Sequence, residues 1–172
     1  MRPCTVYGPN NYNPQREFGL FARLLRNRPI LVPGDGSTVT HLVHVGDLAQ
    51  AFASAPESGS SLGQAYNLAG PEAVSLTGYV NLVGSILGVV PRLVLVPEDM
   101  LDERGSASAF AAYPWRNSAI FAIRKAQAHL GFQPRSLLQG TEETYRWYAA
   151  EGLDDRPWDF SGEDDLLKRL RA

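Results

Sequence analysis

The chain is poor in cysteine and in lysine. It has one cysteine, Cys4, among 172 residues, so an internal disulfide framework and a multi-cysteine metal site are both excluded. Cys4 lies in an apolar segment, where a buried and unreactive thiol is expected. The same scarcity of cysteine favours a reducing compartment, and we expect a cytoplasmic protein.

Long apolar runs and a strong net charge are also missing. No uninterrupted apolar segment approaches the roughly 18 residues that a membrane span needs, and no signal-type segment opens the chain, so we expect a soluble protein without a membrane partner. The 16 basic and 18 acidic residues leave a formal charge of −2. This balance provides no overall attraction to nucleic acid or to an anionic membrane.

Repeated alternation of strand and helix patterns predicts an α/β layer architecture. Residues 3–7 read as a short buried strand that ends at Gly8-Pro9. A helix follows, with its apolar side formed by Phe18, Phe21, Leu24 and Leu25. Its opposite side carries Arg16, Arg23 and Arg26, which we interpret as a solvated face in preference to an anion site.

A β-hairpin is the best fit to the next segment. Residues 29–33 form a short apolar piece, Gly34-Asp-Gly36 makes a tight turn, and residues 39–45 alternate apolar with polar side chains. A helix then covers residues 48–55. We expect the Asp47 carboxylate to cap its first N–H groups.

Further elements follow in the second half of the chain. The pattern predicts strands at 64–69 and 92–96 and helices at 78–87, 124–130 and 137–150. Ser75 or Thr77 can cap the helix at 78–87, and Gly131 ends the helix at 124–130. The tail beyond Gly152 is acidic and closes with an amphipathic turn at residues 166–170.

Most catalytic and cofactor motifs are absent from the printed sequence. A dinucleotide cradle needs a glycine-rich turn such as Gly-x-Gly-x-x-Gly between a strand and a helix, and none occurs. His41 and His44 stand three apart on a predicted strand and therefore point to opposite faces, so no metal site is predicted. No Gly-x-Ser-x-Gly elbow supports a Ser-His-Asp hydrolase.

Several motifs together carry a family resemblance. The segments Arg2-Pro-Cys-Thr-Val-Tyr-Gly-Pro9, Gly34-Asp-Gly36, His44-Val-Gly-Asp-Leu-Ala49, Gln64-Ala-Tyr-Asn-Leu-Ala-Gly70 and Lys125-Ala-Gln-Ala-His-Leu-Gly-Phe-Gln-Pro134 occur in the order and spacing of extended short-chain dehydrogenases/reductases. The chain resembles the C-terminal half of the NAD-dependent epimerase/dehydratase family. The fold class that this implies is α/β: the substrate-binding portion of a Rossmann-type reductase, with its N-terminal Rossmann half absent.

The resemblance also implies site residues, position by position. Pro3, Cys4, Thr5 and Val6 match the segment that passes beside the nicotinamide ring. Substrate contacts are implied for Thr5 and Asn11, and for Thr40, which stands where nucleotide-sugar enzymes often have a diphosphate-binding arginine. Arg116 is a candidate to supply that charge from elsewhere. NAD or NADP is expected only if an N-terminal Rossmann half is supplied.

No catalytic residue is predicted. The family's Tyr-x-x-x-Lys pair would lie in the absent half, where the lysine lowers the tyrosine pKa. Here Phe121 precedes Lys125 at that spacing and has no hydroxyl group. We therefore expect a chain that is not catalytically competent alone and that needs an N-terminal Rossmann half or a homo-oligomeric partner, with an unidentified small-molecule substrate.

An RNA-binding or RNA-stabilising module is the alternative. Tyr113-Pro-Trp-Arg-Asn117 and Asp159-Phe-Ser-Gly-Glu-Asp-Asp165 are not general family motifs, and they resemble an atypical branch that includes chloroplast stem-loop RNA-binding proteins. The arginine-bearing helix and aromatics expected to be exposed at residues 145–148 favour this alternative, while the net charge opposes it. In either case we expect one incomplete domain over 1–172: a Rossmann-associated part at 1–50, a substrate-binding part at 51–150 and a tail at 151–172.

Overall fold

The computed structural model describes residues 1–13, 15–59, 61–101, 113 and 115–171. Its strands are β1 (Arg2–Pro3), β2 (Thr5–Tyr7), β3 (Ile30–Pro33), β4 (Val39–His44), β5 (Asn67–Leu68), β6 (Ala73–Ser75) and β7 (Leu93–Val96). Its helices are α1 (Glu17–Leu25), α2 (Val45–Ser54), α3 (Leu76–Leu87), α4 (Arg124–Leu130), α5 (Leu137–Ala150) and α6 (Ser161–Arg171). Single 3₁₀ turns occur at Glu98–Met100 and Leu153–Asp155. The α/β class predicted from the alternation is confirmed.

Parallel pairing dominates the strands. Within the described residues β1 pairs with β5, β2 with β4 and β3 with β7, all in parallel, and the pair of β4 with β6 is antiparallel. The predicted hairpin is therefore wrong. β3 and β4 are neighbours in sequence, but they belong to different sheets because each finds its partner far along the chain.

Two apolar clusters form the core on opposite sides of β2 and β4. Tyr7 and Leu42 belong to the larger cluster, which also holds the buried sides of α1, α3 and α5. Val43 belongs to the smaller cluster against α2 and α4, and Val6 packs against it. This division follows from the strand period of two, which sends neighbouring side chains to opposite faces.

Local capping signals determine several helix ends. The Ser75 hydroxyl accepts a hydrogen bond from Gly78 N at 3.0 Å, which confirms one of the two caps predicted for α3. Ser136 and Gln139 form a reciprocal capping box at the start of α5. Gly131 ends α4 with a φ of +63°, as expected. These caps satisfy N–H and C=O groups that have no partner inside the helix.

The prediction that Asp47 caps α2 is wrong. The side chain of His44 takes that role, because its Nδ1 accepts from Gly46 N at 3.2 Å. The Asp47 carboxylate turns instead to Arg135, whose backbone N and Nε each donate to it at 2.9 Å. Asp47 thus ties the segment before α5 to the start of α2.

The arginine side of α1 is not a solvated face. Arg23 is 4% exposed and pairs with Glu163 on α6. Arg26 donates to backbone oxygens of the chain after α5. The interpretation of this face as solvated is wrong because the C-terminal segment folds back over it.

No helix in the described ranges is both long enough and apolar enough to cross a lipid bilayer.

Candidate ligand-binding site

The loop that follows β2 is held in place by one buried side chain, Glu17. Gly8 N donates to Glu17 Oε1 at 3.0 Å, and Asn11 Nδ2 donates to the same oxygen at 2.9 Å. Gly8 has a φ of +134° and lies so close to the side chains of His44 and Val45 that a Cβ atom would not fit. The first turn of α1 therefore fixes the loop that leaves the carboxyl end of β2.

Glu17 sits in an electrostatically costly position. Its side chain is fully buried, and Oε2 has no hydrogen-bond partner among the described residues. Burial raises the pKa of Glu17, while the hydrogen bonds from Asn11 and Gly8 and the nearby charge of Arg16 oppose that rise. Burial prevails because a carboxylate loses its hydration in an apolar environment.

Replacing Glu17 with glutamine should remove part of the pH dependence of stability. Because the pKa is raised in the fold, the stabilising contribution of Glu17 is fully present below its unfolded pKa and is lost as pH rises through the folded pKa. Glutamine keeps an acceptor for Gly8 and carries no charge. The variant should therefore exceed the parent in stability near neutral pH, and the difference should shrink in acid.

Urea denaturation at acidic and neutral pH measures this effect. Glu142→Gln, at an exposed position of α5, is the matched control and should leave the pH profile of the parent unchanged. A Glu17→Gln profile parallel to that of the parent would show that the carboxyl group titrates as it does in the unfolded chain.

Arg16 and the loop enclose a small cavity of about 130 Å³. Its lining includes Val6, Pro9, Asn11, Tyr12 and Arg16. Arg16 Nη1 donates to Val6 O at 2.7 Å, and its Nε is buried with no partner among the described residues. Tyr12 is 89% exposed at this loop. The cavity thus combines apolar walls with an arginine and an amide, as small-ligand sites usually do.

Thr5 and Thr40 lie on the same face of neighbouring strands. Thr5 stands opposite Leu42 in the parallel register of β2 and β4, and Thr40 is two residues before Leu42, so all three side chains share one face. Thr40 is fully buried, and its Oγ1 has no partner in the described part of the chain. A small hydroxyl therefore occupies the place where the family resemblance implies a long cationic side chain.

Arg116 belongs to a segment that runs along β4. Val39 N donates to Ser118 Oγ at 2.9 Å, and Ala119 N donates to Val39 O at 3.1 Å. The Arg116 guanidinium lies 4.2 Å from the ring centre of the buried Trp115, and its Nη1 is 3.7 Å from Glu98 Oε2. The segment thus carries Arg116 to the side of β4, where an acidic neighbour partly balances its charge.

The residues predicted to face a cofactor, 3–6, belong to β1, β2 and the residue between them, and their side chains do not all lie on the same side. Cys4 and Val6 pack against the smaller core cluster, and burial raises the pKa of Cys4 to about 12, so its thiol is not a nucleophile. Pro3 is exposed and Thr5 is half-buried. Only the backbone of this strand, together with Pro3 and Thr5, can meet a ligand without disturbing the core.

The structure brings some of the predicted residues together and separates others. Val6 and Asn11 line one cavity, and Thr5 and Thr40 share one face, whereas Arg116 stands on a separate segment beside β4. Sequence reasoning missed Glu17 entirely and assigned Arg16 to solvent. A charged residue at the start of a helix gives no signal in its apolar periodicity that the preceding loop will fold over it and bury it.

Comparison with known proteins identifies the relationship. Residues 1–69 match the NAD dependent epimerase/dehydratase family. The chain is related to this family. It is 30% identical over 171 residues to the chloroplast stem-loop binding protein of 41 kDa b of Arabidopsis thaliana, covering 98% of this chain and 44% of that protein. It is 29% identical over 152 residues to dTDP-4-dehydro-6-deoxy-D-allose reductase of Streptomyces bikiniensis, covering 86% of this chain and 42% of that one.

Solved structures of epimerases and dehydratases share the fold. UDP-glucuronic acid 4-epimerase of Bacillus cereus, in complex with UDP-glucuronic acid and NAD, superposes with a TM-score of 0.69 at 23% identity over 87% of this chain and 44% of that one. dTDP-glucose 4,6-dehydratase of Bacillus anthracis, in complex with NAD, gives 0.67 at 23% identity over 88% and 44%. The chain is thus a partial Rossmann-type extended short-chain dehydrogenase/reductase fold, and it spans less than half the length of these relatives.

Proposed function

We propose that this chain is the substrate-binding part of an NAD(P)-dependent epimerase, dehydratase or reductase and that it works together with an N-terminal Rossmann half. The carrying observation is the pair β1 and β2. Each has a single partner strand within the described residues, so each leaves one edge to which another strand can be added. The share of the relatives that the chain covers supports the same assembly. On this proposal residues 1–50 adjoin the Rossmann sheet, 51–150 bind substrate and 151–172 form a tail.

The residues present fit one end of a nicotinamide cofactor only. Contact with the nicotinamide end is proposed for the half-buried Thr5 hydroxyl and for the backbone at Pro3, Cys4 and Val6, whereas the sequence has no glycine-rich turn for the pyrophosphate. When bound, the cofactor supplies hydride transfer. The chain itself contributes a rigid strand and a loop that orient the substrate.

Substrate contacts are proposed for Thr5, Asn11, Thr40 and Arg116. The two threonines offer hydroxyl donors from one face of the sheet. Asn11 donates to Glu17 and accepts from Asn13 N, so its second amide N–H and the second lone pair of Oδ1 are what it can offer a ligand. Arg116 brings the positive charge that an anionic substrate group requires. No tyrosine stands four residues before either lysine, so the proton-transferring pair has to come from the N-terminal half.

Fusing an N-terminal half to Met1 tests the proposal. The N-terminal half of the Streptomyces bikiniensis reductase is expected, from the family resemblance, to supply the glycine-rich turn and the Tyr-x-x-x-Lys pair. The fusion should then enhance NADH or NADPH fluorescence, while the 172-residue chain alone should not. Thr5→Val in the fusion should weaken binding about tenfold, the equivalent of one charge-free hydrogen bond at about 1.4 kcal/mol.

Thr38→Val is the matched control, since Thr38 lies outside the set of proposed ligand contacts. It should bind the dinucleotide as the unsubstituted fusion does. A folded fusion that fails to bind either dinucleotide would contradict the proposal. Full binding by Thr5→Val, or an equal loss of binding in Thr5→Val and Thr38→Val, would contradict the contact proposed for Thr5.

RNA binding is the second candidate, favoured by the similarity to the Arabidopsis stem-loop binding protein over nearly the whole chain. The structure contradicts one argument for this candidate, the exposure of the aromatic side chains at residues 145–148. Tyr148 is fully buried, and Tyr145 and Trp147 pack against the larger core cluster, so the prediction of exposed aromatics there is wrong. Retention of the chain on an immobilised RNA stem-loop at low salt, with release at high salt, is the expected result for this candidate.

A further inference from the structure

The tail that follows α5 folds back over the arginine side of α1. Arg23 Nε donates to Glu163 Oε1 at 2.7 Å, and both side chains are nearly inaccessible. Arg28 pairs with Asp164 and lies 3.8 Å from Glu163. Arg26 donates to the carbonyl oxygens of Asp154 and Arg156. We call Arg23, Arg26 and Arg28 the arginine face.

The tail presents a flat ring and anionic oxygens to the same two guanidinium groups. The Phe160 ring centre lies 4.3 Å from Cζ of Arg28 and 5.3 Å from Cζ of Arg23. The carboxylates of Glu163 and Asp164 form ion pairs with these arginines. An unpaired nucleotide has the same combination, a base whose face stacks on guanidinium and a phosphate that pairs with it.

The tail ends in a short helix with few fully buried apolar side chains. α6 has 11 residues, a length at which an isolated helix is marginal in water. In the described part of the tail, Leu166 is the one large apolar side chain that is fully buried. Leu167 and Leu170 are only partly buried. Local unfolding of such a terminal segment costs less than global unfolding.

We propose that the C-terminal tail is an internal mimic of a single-stranded nucleic acid and that it covers a nucleotide-binding surface formed by the arginine face. Displacement of α6 together with the segment from Asp154 to Phe160 opens this surface. The inference rests on the second candidate function above, to which it adds the site and its regulation. The Phe160 ring lies against the guanidinium groups, and a nucleotide base can take its place. A lipid surface or a bare polyanion offers charge without a flat ring.

The direct test weakens the tail and leaves the arginines intact. Glu163→Gln combined with Asp164→Asn removes two negative charges from the tail. Fluorescence anisotropy with a labelled oligouridylate should show binding at least about tenfold tighter than for the parent, a gain of about 1.4 kcal/mol. A plot of the logarithm of the binding constant against the logarithm of salt concentration should have a slope of about −2. This value assumes that each of the three arginines neutralises one phosphate and that each phosphate contributes ~0.7.

Two companion variants distinguish binding at the arginine face from a general effect of net charge. Glu151→Gln with Asp165→Asn removes the same two charges, but Glu151 has no ion pair within the described residues and Asp165 pairs only with Lys168 there. It should bind as the parent does. Arg26→Gln with Arg28→Gln, added to the weakened tail, should abolish the gain. An equal gain in the charge-matched control would overturn the proposal.

A measurement on the unsubstituted chain covers the case in which the weakened variant fails to fold. Excess oligouridylate should speed amide hydrogen exchange across α6 and leave α3 unchanged. No change in α6 would refute the proposal. Binding of anionic phospholipid vesicles or of heparin by the weakened variant, without binding of the oligonucleotide, would also refute it. Release of the parent chain from an immobilised stem-loop at low salt, together with binding of oligouridylate by the weakened variant, would contradict RNA binding by the unsubstituted chain and would support the covered surface proposed here.

Discussion

Replacing Arg23 with alanine is expected to lower the free energy of unfolding by about 3 kcal/mol, because one member of a buried ion pair would be left alone. Glu163 is 5% exposed and loses its main partner, since Arg28 is its only other cation in the described contacts and lies 3.8 Å away. Burial already raises the pKa of Glu163, with Arg23 first among the groups that oppose the rise. Urea or guanidinium denaturation monitored by tryptophan fluorescence measures the loss.

The matched control is Lys168→Ala on α6. Its ion pair with Asp165 joins two side chains that are 77% and 71% exposed, and such pairs contribute little to stability. Its midpoint should stay close to that of the parent. Equal midpoints for Arg23→Ala and Lys168→Ala would mean that the tail does not seal the arginine face in solution.

Replacing Gly140 with alanine is expected to destabilise the chain by up to about 2 kcal/mol, although alanine is the better helix former. A methyl group at Gly140 would overlap the Tyr7 hydroxyl, lie 2.9 Å from Tyr7 Cζ and lie 3.3 Å from His44 Cδ2. Tyr7 is 3% exposed and has no room to withdraw. Overpacking of this kind costs about 1–3 kcal/mol, and the helix preference of alanine returns about 1 kcal/mol.

A double-mutant cycle with Tyr7→Phe isolates this contact. Loss of the hydroxyl removes the worst overlap, so Tyr7→Phe should recover part of the stability that Gly140→Ala loses, and the two changes should be non-additive. Gly162→Ala is the control, because a methyl group there meets no atom within 4 Å. Strict additivity would show that α5 shifts freely away from β2 and β4.

Helix limits were the most predictable part of the fold. The residue limits of α4 and α5 match the prediction, and α3 starts at the expected serine cap. Each of these signals is local: an apolar period of 3.6 residues, a hydroxyl before the first turn, and a glycine able to take positive φ after the last one. Such signals predict helix ends well because they depend only on neighbours within one helical turn.

Strand partners could not be predicted from the same kind of pattern. Residues 29–45 have the turn and alternation of a hairpin, yet β3 pairs with β7 some 60 residues further on, and β4 pairs with β2 and β6. Parallel pairing requires a long connection, and nothing in a short segment specifies where its partner lies. The side chain of Asp47 was misplaced for a similar reason, since its partner Arg135 comes from a distant segment.

The candidate site shows the same division between local and long-range information. The family resemblance implies ligand contacts for Thr5, Asn11 and Thr40, and these stay predictions. The sequence pattern does not show that Glu17 is buried under the loop or that the tail covers Arg23. Periodicity alone indicated the α/β class and the main helices, and the resemblance of several motifs pointed to the NAD-dependent epimerase/dehydratase family. Only the tertiary structure decided strand partners and the burial of charged groups, because both depend on contacts between residues far apart in the chain, where burial and hydrogen bonding together outweigh local preference.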